Sequence, residues 1–123
     1  MSKPIVLVVE NDDEVRDLMV YMLKSLDCEI DTARDGEEAL QKVNSLLPDI
    51  VVLDLNLPYI NGVDILKHIR NHPDLVYTRV IVVTSYSQIQ TAPILDMIDY
   101  IFHKPYIMTD FRSVMRDLLM PDA

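Results

Sequence analysis

Five short strand-like runs alternating with amphipathic stretches constrain this chain more than any other feature. The runs are Ile5–Val9, Glu29–Ala33, Ile50–Leu53, Val80–Val83 and Tyr100–Phe102. Between them, apolar residues return with the period of a helix. Val15, Leu18, Met19, Met22, Leu23 and Leu26 fall on one helical face. Ala39, Leu40, Val43, Leu46 and Leu47 repeat the pattern, as do Phe111, Val114, Met115, Leu118 and Leu119. The first, third and fourth runs are almost continuously apolar, as suits strands covered by helices on both faces. Strand–helix units with short connections therefore predict an α/β fold. The expected architecture is a doubly wound, five-stranded parallel sheet flanked by about five helices. The rhythm breaks between Ser85 and Asp99. Pro93 fits only a first helical turn, so a helix here is expected to begin near Thr91 and to be short or irregular.

A chain of 123 residues suits one domain, expected to span 1–123. A formal net charge of −9 argues against a nucleic-acid or anionic-membrane surface. The apolar run after Lys3 is too short for a signal peptide or a membrane span, and the expected location is the cytoplasm. The single cysteine, Cys28, cannot form an internal disulfide and reads as a small apolar residue near a strand start. The seven methionines fall mainly on helix faces, where core packing explains them.

Doubly wound sheets collect their ligands at the carboxyl ends of the strands. Those ends carry Glu10–Asn11, Asp54, Thr84 and Lys104. Each type has a task around a phosphorylated carboxylate. A carboxylate can attack phosphorus. Acidic neighbours hold Mg²⁺, a hard cation that prefers oxygen ligands. An ammonium and a hydroxyl bind phosphoryl oxygens. Each also has a bland explanation: Asp54 as a turn opener, Asn11 with Glu14 as a capping box, Thr84 as a strand end, Lys104 as a solvated charge. Their convergence on one sheet edge favours the chemical reading.

With these residues in view, the whole chain resembles the response-regulator receiver domain. The resemblance rests on Val8-Val9-Glu10-Asn11-Asp12, on Asp49 through Pro58 with Gly62, on Val82-Val83-Thr84-Ser85 and on Lys104-Pro105. It implies that Asp54 accepts a phosphoryl group from a histidine kinase or phosphotransfer protein, with Mg²⁺ assisting. It further implies that Glu10, Asn11, Asp54 and the backbone carbonyl of Asn56 hold the metal, and that Thr84 and Lys104 meet the phosphoryl oxygens. Such a protein is a signalling phosphoacceptor rather than an enzyme, and it signals through a changed protein-interaction surface. The family's Lys–Pro peptide is commonly cis, and the sequence leaves the isomer at Lys104–Pro105 open.

The chain departs from the family twice. Asn11 stands where a second carboxylate is usual, which should weaken the metal site unless Asp12 compensates. Taking Asp12–Asp13 as the acidic pair instead would push the strand beyond its apolar run. The second departure is Ile101, which occupies the place of the aromatic that responds to the threonine. Tyr86 and Tyr100 are candidates to replace it. These departures motivate one alternative, a pseudo-receiver acting as an interaction module without phosphorylation. A second alternative is a phosphatase resembling the haloacid dehalogenases. It is opposed by Asn56, which stands where those enzymes carry a second aspartate. His68 and His72 share a helix face without an evident third metal ligand, and are read as charges suited to a helix C-terminus. His103 is read as a strand residue pointing away from Lys104.

Overall fold

The computed structural model describes residues 2–85 and 92–120. Strands β1 (Ile5–Val9), β2 (Glu29–Ala33), β3 (Ile50–Asp54), β4 (Arg79–Thr84) and β5 (Tyr100–His103) form one parallel sheet in the order β2-β1-β3-β4-β5. The expected α/β architecture is therefore present. Three strands extend beyond their apolar runs. Asp54, Arg79, Thr84 and His103 join the ladder because pairing uses backbone groups, whatever the side chain's polarity.

The helices are α1 (Asp13–Leu23), α2 (Gly36–Leu46), α3 (Gly62–Asn71), α4 (Ala92–Leu95) and α5 (Met108–Leu119). A one-turn 3-10 helix, Pro73–Leu75, precedes β4. The fourth helix is a single turn, in line with the reading of Pro93; Thr91 lies outside the described residues. Side-chain caps define the starts of α1, α2 and α3, whereas α5 begins after Ile107 without one. Asp12 accepts from the Val15 amide, Asp35 from Glu38 and Asn61 from Val63. Asp12, rather than Asn11, caps α1, so the capping-box explanation of Asn11 fails.

The strands sort their residues by parity. Leu7, Val9, Val51, Leu53, Val80 and Val82 face one layer of core with Ala39, Val43, Ile65, Leu66 and Ile69 of α2 and α3. Val6, Val8, Ile50, Val52, Ile81, Val83 and Phe102 face the other, with Met19 and Leu23 of α1 and Phe111 and Met115 of α5. Leu18, part of the apolar stripe in sequence, is exposed at the margin of α1. Arg70 on α3 closes the lower corner of the sheet. Its guanidinium donates to the Met97 and Thr78 carbonyls and pairs with Asp99 at 2.8 Å. The segment leading into β5 is thereby pinned to α3.

Candidate functional site

Parity also decides what meets at the carboxyl edge. Continuing the alternation, Glu10 after β1, Asp54 at the end of β3 and Lys104 after β5 fall on the α1/α5 side. Thr84 falls on the opposite side with Val80 and Val82, as does Ile101. Parallel pairing in register brings the strand ends level: Val9 lies opposite Leu53, and Asp54 opposite Val83.

A cavity of about 580 Å³ opens over this edge, lined by Glu10, Asn11, Asp12, Asp54, Asn56, Lys104 and Tyr106 among others. Asp54 is 2% exposed and Glu10 1% exposed. Lys104 Nζ donates to Asp54 Oδ2 at 2.9 Å, and the Asn56 amide donates to Asp54 Oδ1 at 2.8 Å. The Asp12 amide donates to Glu10 Oε2 at 3.0 Å, while Glu10 Oε1 has no hydrogen-bond partner among the described residues. The Lys104–Pro105 peptide is cis. Thr84 is fully buried, and its carbonyl accepts from the Lys104 amide at 2.9 Å. Asn11 is exposed on the cavity wall.

The two carboxylates govern the electrostatics. Burial, then the charge of Asp54, push the Glu10 carboxyl up to about 7; the Asp12 amide and Lys104 oppose this. A proton on either acid also lets the pair share a hydrogen bond, a further reason for Glu10 to hold one. Asp12 shows little sign of replacing the missing acid at Asn11, because its Oδ1 is engaged in capping α1. Among the described residues no three His, Cys, Asp or Glu side chains gather where they could hold a metal. A cation here would rest on two carboxylates and neutral oxygens. The donor set still fits Mg²⁺: every candidate ligand atom is oxygen, and the orphaned buried Glu10 Oε1 lacks a positive partner.

The loop after Asp54 is held by a close approach. A Cβ on Gly62 would lie 2.5 Å from Leu55 Cα, so only glycine lets α3 start against the residue after Asp54. Gly62→Ala is expected to destabilise the fold by about 2 kcal/mol, measured by urea denaturation, because backbone must shift to admit the methyl. Wild-type stability in that variant would refute the close packing.

The remaining sequence candidates lie elsewhere. Tyr86 is outside the described residues. Tyr100 is 44% exposed and makes a tilted ring contact with Phe102 at 4.9 Å, on the face of β5 opposite Ile101. Ile101 packs in the α2/α3 layer, together with Ile94, Met97 and Ile98. His103 is exposed and does not line the cavity. His68 is engaged with Asn44 at 2.8 Å, and His72 accepts from the Asp74 amide. Cys28 is half-buried just before β2, and burial pushes its thiol pKa up, which favours an inert role. Sequence reasoning passed over Tyr106. Its only signal was its place two residues after Lys104, and its buried hydroxyl becomes visible only in the fold.

The fold and this edge define a class. Residues 6–116 match the family model of the response regulator receiver domain, and the chain belongs to that family. It is similar to the transcriptional regulatory protein PrrA of Mycobacterium leprae, 30% identical over 119 residues, which cover 97% of this chain and 51% of that one. The chain spans no more than about half the length of the curated relatives it matches first. Among solved structures, the chemotaxis response regulator CheY4 of Vibrio cholerae superimposes with a TM-score of 0.84 at 22% identity, covering 96% of this chain and all of that one. The Mn²⁺-bound form of response regulator Rcp1 superimposes with a TM-score of 0.77 at 24% identity, covering 94% and 91%. At such identity these structures speak to the fold. Among the described residues no helix is long and apolar enough to cross a membrane.

Proposed function

We propose that this chain is a phosphorylatable receiver unit spanning 1–123, in which Asp54 takes a phosphoryl group from the phosphohistidine of a histidine kinase or a phosphotransfer protein. The observation that carries the reading is the buried Asp54 carboxylate, 2.9 Å from Lys104 Nζ and beside Glu10 at the strand ends. The carboxylate is aligned at both oxygens. Asn56 N–H holds Oδ1 and Lys104 holds Oδ2, each leaving lone-pair capacity for attack on phosphorus. Lys104, a third exposed, can turn its ammonium towards an incoming phosphoryl group. Thr84 ends the neighbouring strand and would supply a hydroxyl to the same oxygens.

Glu10, Asp54, the Asn56 carbonyl and Asn11 would hold Mg²⁺. When bound, the cation neutralises charge shared by the carboxylates and the phosphoryl oxygens. Binding competes with the proton on Glu10. Mg²⁺ affinity is therefore expected to rise as pH increases towards about 7 and to level off above it. Titrations at stepped pH check this, and a flat profile would count against Glu10 as a ligand.

The unit works as a signalling module rather than as an enzyme with a separate substrate, in the cytoplasm, without binding nucleic acid or membrane itself. Its output passes through a changed protein-interaction surface. Tyr86, Tyr100 and Ile101 are the candidate output residues. Incubation with Mg²⁺ and acetyl phosphate is expected to add one phosphoryl group by intact mass, and Asp54→Asn to abolish the gain. A wild-type chain that gains nothing from acetyl phosphate or a kinase would favour the pseudo-receiver reading, for which Asn11 is the motive.

A further inference from the structure

Three buried side-chain polar atoms among the described residues lack a hydrogen-bond partner: Glu10 Oε1, Asn56 Oδ1 and the Tyr106 hydroxyl. All three residues line the cavity over Asp54. Buried orphans are costly and rare, so their gathering in one cavity marks a place for a polar occupant. The proposed cation would account for Glu10. By itself it leaves Tyr106 unexplained.

The Tyr106 ring packs against the apolar layer beneath α1 and α5. It meets Phe102 in a tilted ring contact at 5.3 Å, and Phe102 rests in turn on Phe111 at 6.0 Å. The ring is thus positioned by packing, in the loop between β5 and α5, and it lines the same cavity as the two acids. Burial, with the nearby charges of Glu10 and then Asp54, pushes the phenol pKa up to about 12. It therefore stays neutral, able to accept a hydrogen bond as well as donate one. A neutral phenol is a poor direct ligand for Mg²⁺. That ion, however, usually keeps several waters, and groups holding such waters tune its binding.

We propose that the Tyr106 hydroxyl accepts a hydrogen bond from a water carried by the divalent cation at Glu10 and Asp54, supplying part of the anchoring lost where Asn11 replaces a carboxylate. The inference rests on the reading of the cavity as a cation site. It makes Tyr106 a positioning residue, separate from the groups that meet the phosphoryl group.

Tyr106→Phe removes only the oxygen and keeps the ring contact with Phe102. Mg²⁺ titration followed by amide NMR is expected to show binding weakened about three- to tenfold in this variant. Without Mg²⁺, its urea midpoint should be unchanged or higher, because an orphaned hydroxyl has gone. A tyrosine with only a structural role would give the reverse: a lower midpoint and an unchanged affinity. Equal Mg²⁺ affinities in wild type and Tyr106→Phe overturn the inference about Tyr106 while leaving the cation site standing. A wild-type chain that binds no Mg²⁺ overturns both.

Discussion

Without divalent cation, the protein is expected to lose stability as pH rises from about 4.5 to about 7, and Glu10→Gln is expected to remove much of that loss. The sign follows from the raised carboxyl. Glu10 titrates near its ordinary 4.5 when unfolded and near 7 when folded, so the folded state binds the proton more tightly between those values. The stabilisation is full below 4.5 and is lost as pH rises through 7. At about 1.4 kcal/mol per pH unit the loss amounts to at most about 3.5 kcal/mol. The side-chain amide introduced by Glu10→Gln can still accept from the Asp12 N–H and can donate to Asp54, so the variant should exceed wild type at pH 8. Added Mg²⁺ should restore the wild type and leave Glu10→Gln nearly unmoved. Urea midpoints from pH 4 to 8 check both statements. Parallel pH profiles in the two proteins would show that Glu10 carries no raised pKa.

Lys104→Met is expected to have the other large effect. Lys104 lies within hydrogen-bonding distance of Asp54, and Glu10 adds a second acid to the same cavity. Removing one member of a buried pair usually costs more than the pair itself contributes. Because Lys104 is partly exposed, water softens the loss, and a cost of about 2 kcal/mol at pH 8 is appropriate. Asp54→Asn in the same chain should recover most of it, since the uncompensated charge disappears. The double-mutant cycle separates this from a general packing defect, in which the two costs would add. In phosphorylation assays Lys104→Met should also lower the response to phosphoryl donors while Asp54 remains present.

Much of the fold was legible because periodicity is written locally. A run such as Ile50–Leu53 cannot present one polar face, and Phe111, Val114, Met115 and Leu118 cannot line up except on a helix. Boundaries were less legible. Asp54, Thr84 and His103 extend strands through backbone pairing, which leaves no mark on hydropathy. Capping gave a similar lesson. Asn11 and Asp12 are both good N-caps, and only the local geometry selects Asp12. Its consequence is functional, since it keeps an Asp12 oxygen occupied at the rim of the cavity.

The strand-end residues Glu10, Asp54, Thr84 and Lys104 were visible in sequence as a set, but not their partition. Tyr100 and Ile101 are neighbours in the chain and face opposite sides of β5. Tyr106 was invisible as a polar group until its packing against Phe102 showed it lining the cavity that holds the acids. By itself, then, the sequence determined the alternating architecture and the candidate acceptor at Asp54, because both follow from residue order along single strands and helices. Only the tertiary structure decided that Lys104 meets Asp54 beside a buried Glu10 whose carboxyl pKa is pushed up, and that Tyr106 lines the same cavity. Those relations depend on register across neighbouring strands and on the packing of the two layers, which no local stretch of chain encodes.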